Sequence, residues 1–485
     1  MKFSELFAGT EIVSHSLPLD TEISAITCDS RKAEAGGILV CIHGYAVDGH
    51  NFAADAIERG VAGIVVERDL GLPRQILVSS SRLTWAKMAA NWFHHPADQL
   101  HLIGVTGTNG KTTTACLLKS ILEHAEHKVG LIGTIQNMIG DRVLPAARTT
   151  PDTYDLQSLF ALMVAEGCDY CVMEVSSHAL DQERVAGCTF DAAVFSNLTQ
   201  DHLDYHGTME NYLAAKKRLF FQCRHAIINA DDRWADSLAD GIPGPITRYS
   251  AKLDAADFIA KNIEYKADGV RFVLVGDGQL GRVHLHIPGQ FSVYNGMAAA
   301  ACAVSLGLPF ETVIEALDKA PGVKGRAEVV PTGRDFTVVI DYAHTPDGLE
   351  NICRTLKDCC PGRLITVFGC GGDRDRLKRP QMGGIAAKLS DLAVVTSDNP
   401  RTEDPAFIIE EIVAGMKDTK TPVKVIENRV EAIHWAIQNA KAGDTVLLAG
   451  KGHETYQILS TGVIHLDERE VVAEAIKTLE QGEQL

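Results

Sequence analysis

The sequence has little of what marks a membrane, secreted or nucleic-acid-binding protein. It contains no run of about 18 uninterrupted apolar residues, the length that a membrane-spanning helix needs. Its first residues do not place a basic stretch before an apolar one, so we expect no secretory signal. Lys and Arg number 46 against 63 Asp and Glu, which gives a net charge of -17. Because nucleic acids and anionic membranes are bound by basic surfaces, this charge argues against both partners. The lack of a long apolar run argues against membrane insertion.

The twelve cysteines also lack the spacing of a disulfide framework or a zinc site. Cys168 and Cys171 form one CxxC pair, but no second pair follows at the distance that zinc sites show. We therefore expect reduced thiols in a cytoplasmic protein, because disulfides persist mainly in oxidising compartments. The length of 485 residues is too great for a single hydrophobic core and predicts about three domains.

Apolar strand-like runs alternate with helical patterns along the chain, which is typical of an α/β protein. We predict a small N-terminal α/β domain (residues 1–98), a central P-loop ATPase-like α/β domain (99–329) and a C-terminal Rossmann-like α/β domain (330–485). The predicted strands include ISAITCDSR, GGILVCIHG, VAGIVVE, LHLIGV, YCVMEVSSHAL and DAAVFSNLTQDHLD, then FTVVIDYAH, LITVFGCGGDRD, LAVVTSDNPR and DTVLLAGKGHE. HNFAADAIERG is a predicted helix, NWFHHPADQ a connection, and the terminal LEQGEQL is expected to fray.

The segment GVTGTNGKTTT, residues 104–114, resembles a phosphate-binding loop but lacks its first glycine. The usual pattern has a glycine five residues before the Gly-Lys pair, and Val105 occupies that position. A glycine turn that only caps a helix, with Lys111 in solvent, is the alternative. The strand before the segment and the helix after it favour a nucleotide site, where backbone N–H groups surround phosphate oxygens. The candidate ATP-binding residues are Gly107, Thr108, Asn109, Gly110, Lys111, Thr112 and Thr113.

Further polar side chains lie where they can face the same edge of the predicted sheet. Glu174 ends one strand, His202 follows another, and Lys216 lies in YLAAKKRLF. Mg²⁺ prefers hard oxygen ligands, so Thr112 and Glu174, with His202, are candidate magnesium-site residues. Hydrogen-bonded scaffolding is the more common role of a lone buried Glu or His, and that alternative stays open. Lys216 poses a problem, because an ammonium beside metal ions repels them.

Arginine-rich segments follow two strands in the last third of the chain. GGDRDRLKRP and DNPRTEDP both come directly after apolar runs. Charged runs are often solvated surface loops, but a position at the carboxyl edge of a parallel sheet favours anion binding. Arginine suits carboxylates because its planar guanidinium can bind both oxygens.

Ten segments resemble those of the Mur ligases both in their residues and in their order along the chain. They are GVTGTNGKTTT, RTTPD, MEVSSHALDQERV, FSNLTQDHLDYHGTMENYLAAKKRLF, VYNGMAAA, GRAEVV, DYAHTPDGLE, GCGGDRDRLKRPQM, SDNPRTEDP and AGKGHE. The likeness runs from about Cys28 to Glu470, and in this family the loop lacks the early glycine. It implies a domain for the UDP end of the substrate, a central ATPase and a domain that receives an amino acid. The implied reaction is ATP-dependent amide formation through an acyl phosphate, in peptidoglycan precursor synthesis.

The resemblance also assigns roles to single residues. The UDP-substrate residues would be Ser30, Thr149, Thr150, Ser176, Gln182 and Arg184. Around ATP, the loop residues would be joined by Asn295, Arg326, Asp341 and His344. The catalytic residues would be Lys111, His202 and Lys216. Lys216 matches the lysine that becomes carbamylated in this family, which turns the cation into a carboxylate able to hold Mg²⁺ beside Thr112, Glu174 and His202.

The segment DNPR is the form that the resemblance associates with meso-diaminopimelate. The amino-acid-binding residues would be Arg374, Asp398, Asn399, Pro400, Arg401, Gly450 and Glu454. Arg401 would bind the second carboxylate of diaminopimelate, and Glu454 its ammonium. Lysine lacks that carboxylate and would leave Arg401 unpaired, which typically costs ~10⁴-fold in selectivity. The resemblance thus implies UDP-N-acetylmuramoyl-L-alanyl-D-glutamate, ATP and meso-diaminopimelate as substrates and Mg²⁺ as cofactor. We expect a monomeric protein.

Other interpretations remain. A lysine-adding Mur ligase or a folylpolyglutamate synthase is the enzyme alternative, and Arg401 and the segment CDSR argue against both. A GTP-binding switch would need a guanine-reading N-K-x-D motif, which is absent, and a non-catalytic scaffold would not need Glu174 and Lys216. Ser196 and Gln200 depart from the family pattern, in which threonine and arginine or proline are commoner.

Overall fold

The computed structural model describes residues 1–44, 47–266, 268–417 and 419–481. The chain forms two compact units: the first comprises Met1–Tyr249 with Ala255–Asp257 and Ala298–Leu308, and the second comprises Ser250–Asp254, Phe258–Met297 and the chain from Pro309 onward. Within the described residues, every helix is too short or too polar to cross a bilayer. The predicted α/β class agrees with the elements observed, whereas the domain boundaries after residues 98 and 329 stay predictions.

The N-terminal part of the first unit is a five-stranded sheet in the order β1-β5-β4-β3-β2, parallel except for β1. Its elements are α1 (Phe3–Leu6), β1 (Ile12–His15), β2 (Ile26–Thr27), β3 (Ile38–Val40), α2 (Ala53–Glu58), β4 (Gly63–Val66), β5 (Gln75–Val78) and α3 (Ser81–Trp92). β3 and β4 are buried throughout, which is typical of parallel strands covered on both faces. The pattern missed α3, and the predicted connection at 91–99 contains a short 3₁₀ helix, Pro96–Gln99.

A second sheet of this unit follows the order β13-β12-β11-β6-β10-β7-β8-β9, in which only β8 and β9 run antiparallel to their neighbours. The strands are β6 (His101–Thr106), β7 (Val129–Ile132), β8 (Asn137–Ile139), β9 (Arg142–Leu144), β10 (Tyr170–Glu174), β11 (Ala192–Phe195), β12 (Ala226–Asn229) and β13 (Ile246–Ser250). The helices are α4 (Lys111–His124), α5 (Thr153–Ala165), α6 (Ser177–Asp181), α7 (Leu203–His206), α8 (Met209–Lys217) and α9 (Ala235–Ala239). The carboxyl ends of β6, β10 and β11 therefore meet at one edge.

The second unit contains an antiparallel group that the sequence patterns did not predict: β14 (Phe258–Lys266), β15 (Gly269–Gly276) and β16 (Gln279–Leu285). Two helices follow, α10 (Gln290–Ser305), which ends in the first unit, and α11 (Phe310–Lys319). Gly281 allows α11 to lie close to β16, because a Cβ there would be 2.6 Å from Ile314 Cγ1.

The rest of the second unit is a six-stranded sheet in the order β17-β18-β22-β19-β20-β21, parallel except for β17. Its strands are β17 (Glu328–Val330), β18 (Thr337–Asp341), β19 (Leu364–Phe368), β20 (Leu392–Val395), β21 (Val423–Val425) and β22 (Thr445–Ala449), followed by the hairpin β23 (Tyr456–Leu459) and β24 (Gly462–His465). Its helices are α12 (Pro346–Cys359), α13 (Lys378–Leu389), α14 (Pro405–Ala414), α15 (Arg429–Gln438) and α16 (Glu468–Gln481). Of the segment expected to fray, residues 482–485 lie outside the described residues.

Candidate active site

The strand, loop and helix predicted around GVTGTNGKTTT are all present. β6 ends at Thr106 and α4 begins at Lys111. Gly107 has φ +149°, and a Cβ there would lie 1.9 Å from Ser196 Oγ, so the loop needs glycine at this position. Ser196 donates a hydrogen bond to the carbonyl oxygen of Asn109 (2.6 Å). Threonine is commoner at position 196 in the family, and Ser196 supplies the same kind of hydroxyl to stabilise the loop.

Two lysines converge on the carbonyl groups of this loop. Lys111 Nζ donates to the carbonyl oxygens of Gly107 (3.0 Å) and Thr108 (2.9 Å), and Lys216 Nζ donates to that of Gly107 (2.8 Å). Lys216 is only 1% exposed, and its Nζ lies 4.6 Å from the ring centroid of Tyr212. Burial, reinforced by the nearby Lys111, lowers the pKa of Lys216 well below its usual value. The amine is therefore more often neutral than that of an exposed lysine, and a neutral amine is the form that reacts with CO₂.

Glu174 is a buried carboxylate at the end of β10. It is 1% exposed and accepts hydrogen bonds from the backbone N–H (2.9 Å) and the hydroxyl (2.9 Å) of Thr134. The Thr134 hydroxyl also lies 3.0 Å from that of Thr149, a predicted substrate residue. In the part of the chain that the structure describes, no cationic side chain pairs with Glu174. A buried carboxylate held by neutral donors alone is a suitable ligand for a hard divalent cation.

The other predicted metal-site residues have different surroundings. Thr112 is buried in the first turn of α4. His202 has a half-exposed side chain, and its Nε2 lies 3.4 Å from Asp201 Oδ2. Its ring lies 6.2 Å from that of Tyr212, the residue that also contacts Lys216. No group of three His, Cys, Asp or Glu side chains with metal-binding geometry occurs among the described residues. Besides Glu174, a magnesium site here would therefore need the Thr112 hydroxyl and a modified Lys216.

Four of the predicted UDP-substrate residues form one hydrogen-bonded network beyond β10. The Thr150 hydroxyl accepts from the backbone N–H of Ser176 (3.0 Å), and Ser176 caps α6. Arg184 donates to the carbonyl oxygen of Thr150 (2.9 Å) and to Gln182 Oε1 (2.7 Å). The structure therefore brings these four residues together, although they are separated in sequence.

A cavity of about 190 Å³ adjoins this network and is lined by α3, by the start of α5 and by loops of the first unit. Gln182 and Arg184 contribute to its wall, together with Arg82 and Trp85, which the sequence patterns missed. Ser30 lies in a short 3₁₀ helix, close in sequence to Cys28, which also lines the cavity. Burial raises the pKa of the Cys28 thiol to about 12, so this cysteine is a poor nucleophile.

In the second unit, predicted site residues follow the carboxyl ends of four parallel strands. Asp341 ends β18, Arg374 follows β19, Asp398 follows β20, and Gly450 follows β22. The Gly450 N–H donates to the carbonyl oxygen of Asp341 (3.0 Å), which joins two of these loops. Loops at the carboxyl edge of a parallel sheet are the usual place for ligands in α/β proteins.

Three of the four predicted nucleotide residues of this unit lie around Tyr342. The Arg326 guanidinium lies 5.2 Å from its ring centroid, and His344 Nδ1 is hydrogen-bonded to its carbonyl oxygen (2.8 Å). Burial raises the pKa of Asp341, although the Arg326 guanidinium and two backbone N–H donors oppose that shift. Burial lowers the pKa of His344, which favours the neutral imidazole. The fourth residue, Asn295, is buried in α10.

Six of the seven predicted acceptor residues lie on two adjoining segments, 398–401 and 450–454. Asn399 Nδ2 donates to Glu454 Oε2 (2.9 Å). Arg401 has φ +54°, an uncommon backbone conformation for a residue with a Cβ, and its guanidinium donates to the carbonyl oxygen of Gly372 (2.9 Å). One guanidinium nitrogen of Arg401 thus has a backbone partner. That bound lysine would leave Arg401 without a carboxylate partner stays a prediction. Arg374 is exposed and donates to the carbonyl oxygen of Asp373 (3.0 Å).

A buried arginine, which the sequence patterns missed, forms ion pairs that connect the loop after β19 with the segment after Arg401. Arg379 on α13 is fully buried and donates to both oxygens of Glu403 (2.8 and 2.9 Å) and to Glu411 Oε2 (2.7 Å). Glu403 Oε1 also accepts from the backbone N–H of Asp373 (2.5 Å). Arg379 therefore holds the segment after Arg401 against the loop that follows β19.

Arg379→Met is expected to lower the free energy of unfolding at pH 7 by about 3 kcal/mol. This value is at the low end of the cost of breaking a buried ion pair, because the Glu403 and Glu411 carboxylates are partly exposed. Arg379, together with the backbone N–H of Asp373, holds the pKa of Glu403 at about 2 instead of 4.5. The stabilisation by Arg379 is therefore complete above pH 4.5 and disappears as the pH falls through 2. The stability difference between variant and parent should shrink over that range in urea denaturation. An equal difference at every pH would contradict the assignment. Arg376→Met, which removes the exposed partner of Glu411, is the control.

Three family models match the chain: "Mur ligase family, catalytic domain" at residues 22–88, "Mur ligase middle domain" at 105–303, and "Mur ligase, glutamate ligase domain" at 325–452. The chain is also 48% identical over 485 residues to the UDP-N-acetylmuramoyl-L-alanyl-D-glutamate--2,6-diaminopimelate ligase of Caldanaerobacter subterraneus subsp. tengcongensis, with 99% of this chain and 100% of that protein covered. The chain belongs to the Mur ligase family. The predicted family is thereby confirmed.

Other Mur ligases support this placement. The enzyme of the same name from Bacillus cereus is 45% identical over 477 residues, which cover 95% of this chain and 96% of that protein. A solved structure of a UDP-N-acetylmuramoyl-L-alanyl-D-glutamate--2,6-diaminopimelate ligase matches with a TM-score of 0.75 at 33% identity, over 100% of both chains. MurF ligase from Thermotoga maritima in complex with ADP matches with a TM-score of 0.60 at 21% identity, over 96% of this chain and 100% of that one. That last likeness concerns the fold alone.

Proposed function

We propose that this Mur ligase adds meso-2,6-diaminopimelate to UDP-N-acetylmuramoyl-L-alanyl-D-glutamate, with ATP converted to ADP and phosphate. The observation that carries this proposal is the 48% identity, over 99% of the chain, to a ligase named for this reaction. The site geometry supports it, since a strand–loop–helix anion site and an arginine-bearing acceptor loop occur in one chain. The lysine-adding version of the enzyme is not favoured.

The first unit supplies groups suited to phosphoryl transfer in this proposal. The N-terminus of α4 and the loop N–H groups would bind the phosphates of ATP, and Lys111 would neutralise charge on the transferring group. The substrate carboxylate attacks the γ-phosphorus and the bond from this phosphorus to the bridging oxygen breaks. ADP leaves, and the substrate becomes an acyl phosphate. Arg184 and Gln182 would hold the substrate on the side of the cavity.

We further propose Mg²⁺ as the cofactor, held by Thr112, Glu174 and carbamylated Lys216, with His202 beside them. When bound, the ion supplies positive charge that offsets the developing charge of the phosphoryl group. Glu174 contributes a buried carboxylate that Thr134 fixes in one orientation. Carbamylation would convert the buried Lys216 amine into an anion, which would attract both Lys111 and the metal ion.

The second unit supplies groups for the acceptor in this proposal. Arg401 would bind the distal carboxylate of diaminopimelate, and Glu454 its distal ammonium. The free amine at the other end then attacks the acyl carbon, and phosphate leaves from the tetrahedral intermediate. Cytoplasmic location, a monomeric state and the domain boundaries after residues 98 and 329 stay predictions.

The test is phosphate release by the purified chain with ATP, Mg²⁺ and the UDP-dipeptide. We expect release that depends on meso-diaminopimelate and is at least ~10³-fold slower with L-lysine at equal concentration, because a site with a carboxylate-binding group discriminates strongly against an analogue that lacks it. Mass spectrometry of the product gives a second measurement, with one diaminopimelyl residue added per nucleotide. Faster turnover with lysine would refute the proposed acceptor, and no turnover with any amino acid would refute the ligase.

A further inference from the structure

The segment AGKGHE contains a lysine to which none of the roles above assigns a function. Lys451 follows β22 directly and lies between Gly450 and Gly452. Its side chain is 0% exposed, which is rare for lysine because an unpaired ammonium is very costly to bury. A lysine in such a place needs strong acceptors close by.

Lys451 donates hydrogen bonds to two residues of the proposed amino-acid-binding site. Its Nζ donates to Asn399 Oδ1 (3.1 Å) and to Glu454 Oε2 (2.9 Å). Asn399 Nδ2 donates to the same Glu454 Oε2, so the three side chains close a ring of hydrogen bonds. The backbone N–H of Ile458 also donates to Asn399 Oδ1 (2.9 Å).

This ring fixes the orientation of both polar groups. Two donors face Asn399 Oδ1, so the amide cannot rotate by 180° without placing its NH₂ group against them. Two donors also act on Glu454 Oε2, whereas no described residue donates to Oε1. One carboxylate oxygen is thus committed to the protein and the other is left for a ligand. A lysine that only stabilised the β23–β24 hairpin would not need hydrogen bonds to residues of the proposed amino-acid-binding loops.

We propose that Lys451 is a positioning residue for the amino acid acceptor: its buried ammonium holds Glu454 and Asn399 so that Glu454 Oε1 receives the distal ammonium of diaminopimelate. This inference rests on the proposed function. According to this inference, the choice among amino acids depends partly on Lys451, a residue that does not contact them.

Lys451→Ala tests the proposal in the phosphate-release assay. Loss of one charge-assisted hydrogen-bonded pair is expected to raise KM for diaminopimelate about tenfold to a hundredfold, while KM for ATP changes less than about twofold. Propylammonium, which fits the space vacated by the side chain, should restore much of the lost affinity for diaminopimelate. Tetramethylammonium, a cation without N–H donors, should not. Lys319→Ala, on the surface of α11, is the matched control.

An unchanged KM for diaminopimelate in Lys451→Ala would overturn the proposal, and so would equal rescue by both cations. Should that variant fail to fold, Lys451→Met and Glu454→Gln are combined in a double-mutant cycle. The proposal expects the two changes to be strongly non-additive in KM, and additive effects would overturn it. A wild-type chain without diaminopimelate-dependent turnover would refute the proposed function and this inference with it. An active wild type with an unaffected variant would refute the inference alone.

Discussion

Replacing Lys216 with methionine is expected to lower the rate of phosphate release by roughly 10³-fold, because one preorganised charged group at the reacting centre is commonly worth that much. Lys216 is buried beneath the loop and hydrogen-bonded to the carbonyl oxygen of Gly107. Its neutral amine is the proposed site of carbamylation, and methionine has a similar length but cannot form the carbamate. The measurement is single-turnover phosphate release at saturating ATP and acceptor, together with a thermal melt that reports folding.

Lys217→Met is the matched control, since this neighbour is only partly buried and donates to the carbonyl oxygen of Ser237. It should retain nearly full activity. In Lys216→Ala, acetate or bicarbonate should restore part of the activity, because a small carboxylate can occupy the place of the missing carbamate. Full activity in Lys216→Met without any added anion would eliminate the proposed carbamate. Rescue by chloride as strong as that by acetate would show that charge alone, without carboxylate geometry, is sufficient.

Arg401→Ala is the second change with a large expected effect. We expect KM for meso-diaminopimelate to rise by about 10²-fold to 10³-fold, since a bidentate guanidinium–carboxylate pair is lost, while KM for ATP stays within about twofold. The preference for diaminopimelate over lysine should fall by a similar factor. Alanine retains a Cβ at φ +54°, so the backbone is no more strained than in the parent and the change reports the guanidinium.

The control for this variant is Arg376→Ala, which removes an arginine of the same loop region that pairs with Glu411 on the surface. Its two KM values should match those of the parent. Equal increases in KM for ATP and for diaminopimelate in Arg401→Ala would contradict a specific acceptor role. An unchanged preference between diaminopimelate and lysine would do the same.

Much of this site could be predicted because its signals are local in sequence. Glu174 ends β10, and α4 begins at Lys111 directly after the glycine loop, as the apolar run and the glycines indicated. Parallel strands place their carboxyl ends at one edge, so Asp341 and Asp398 could be expected on the same side of a sheet. Such features depend on patterns of ten to fifteen neighbouring residues, which composition and periodicity report well.

The residues that sequence patterns missed are those whose environment is set by distant parts of the chain. Thr134 belongs to no motif and reaches Glu174 across 40 positions. Arg379 and Lys451 look like surface charges in the sequence, because lysine and arginine are seldom fully buried. Their burial depends on carboxylates delivered by other segments, such as Glu403 for Arg379. Strands β14 to β16 were missed for a related reason, since antiparallel pairing is decided by the partner strand.

The left-handed backbone at Arg401 has an evolutionary consequence. A residue with a Cβ at φ +54° is less stable there than glycine by on the order of 1 kcal/mol. Selection of random variants for heat tolerance alone would therefore favour losing this arginine. The same step would discard the proposed means of telling one diamino acid from another. Robustness and accuracy in choosing a building block are thus opposed at a single position of this chain.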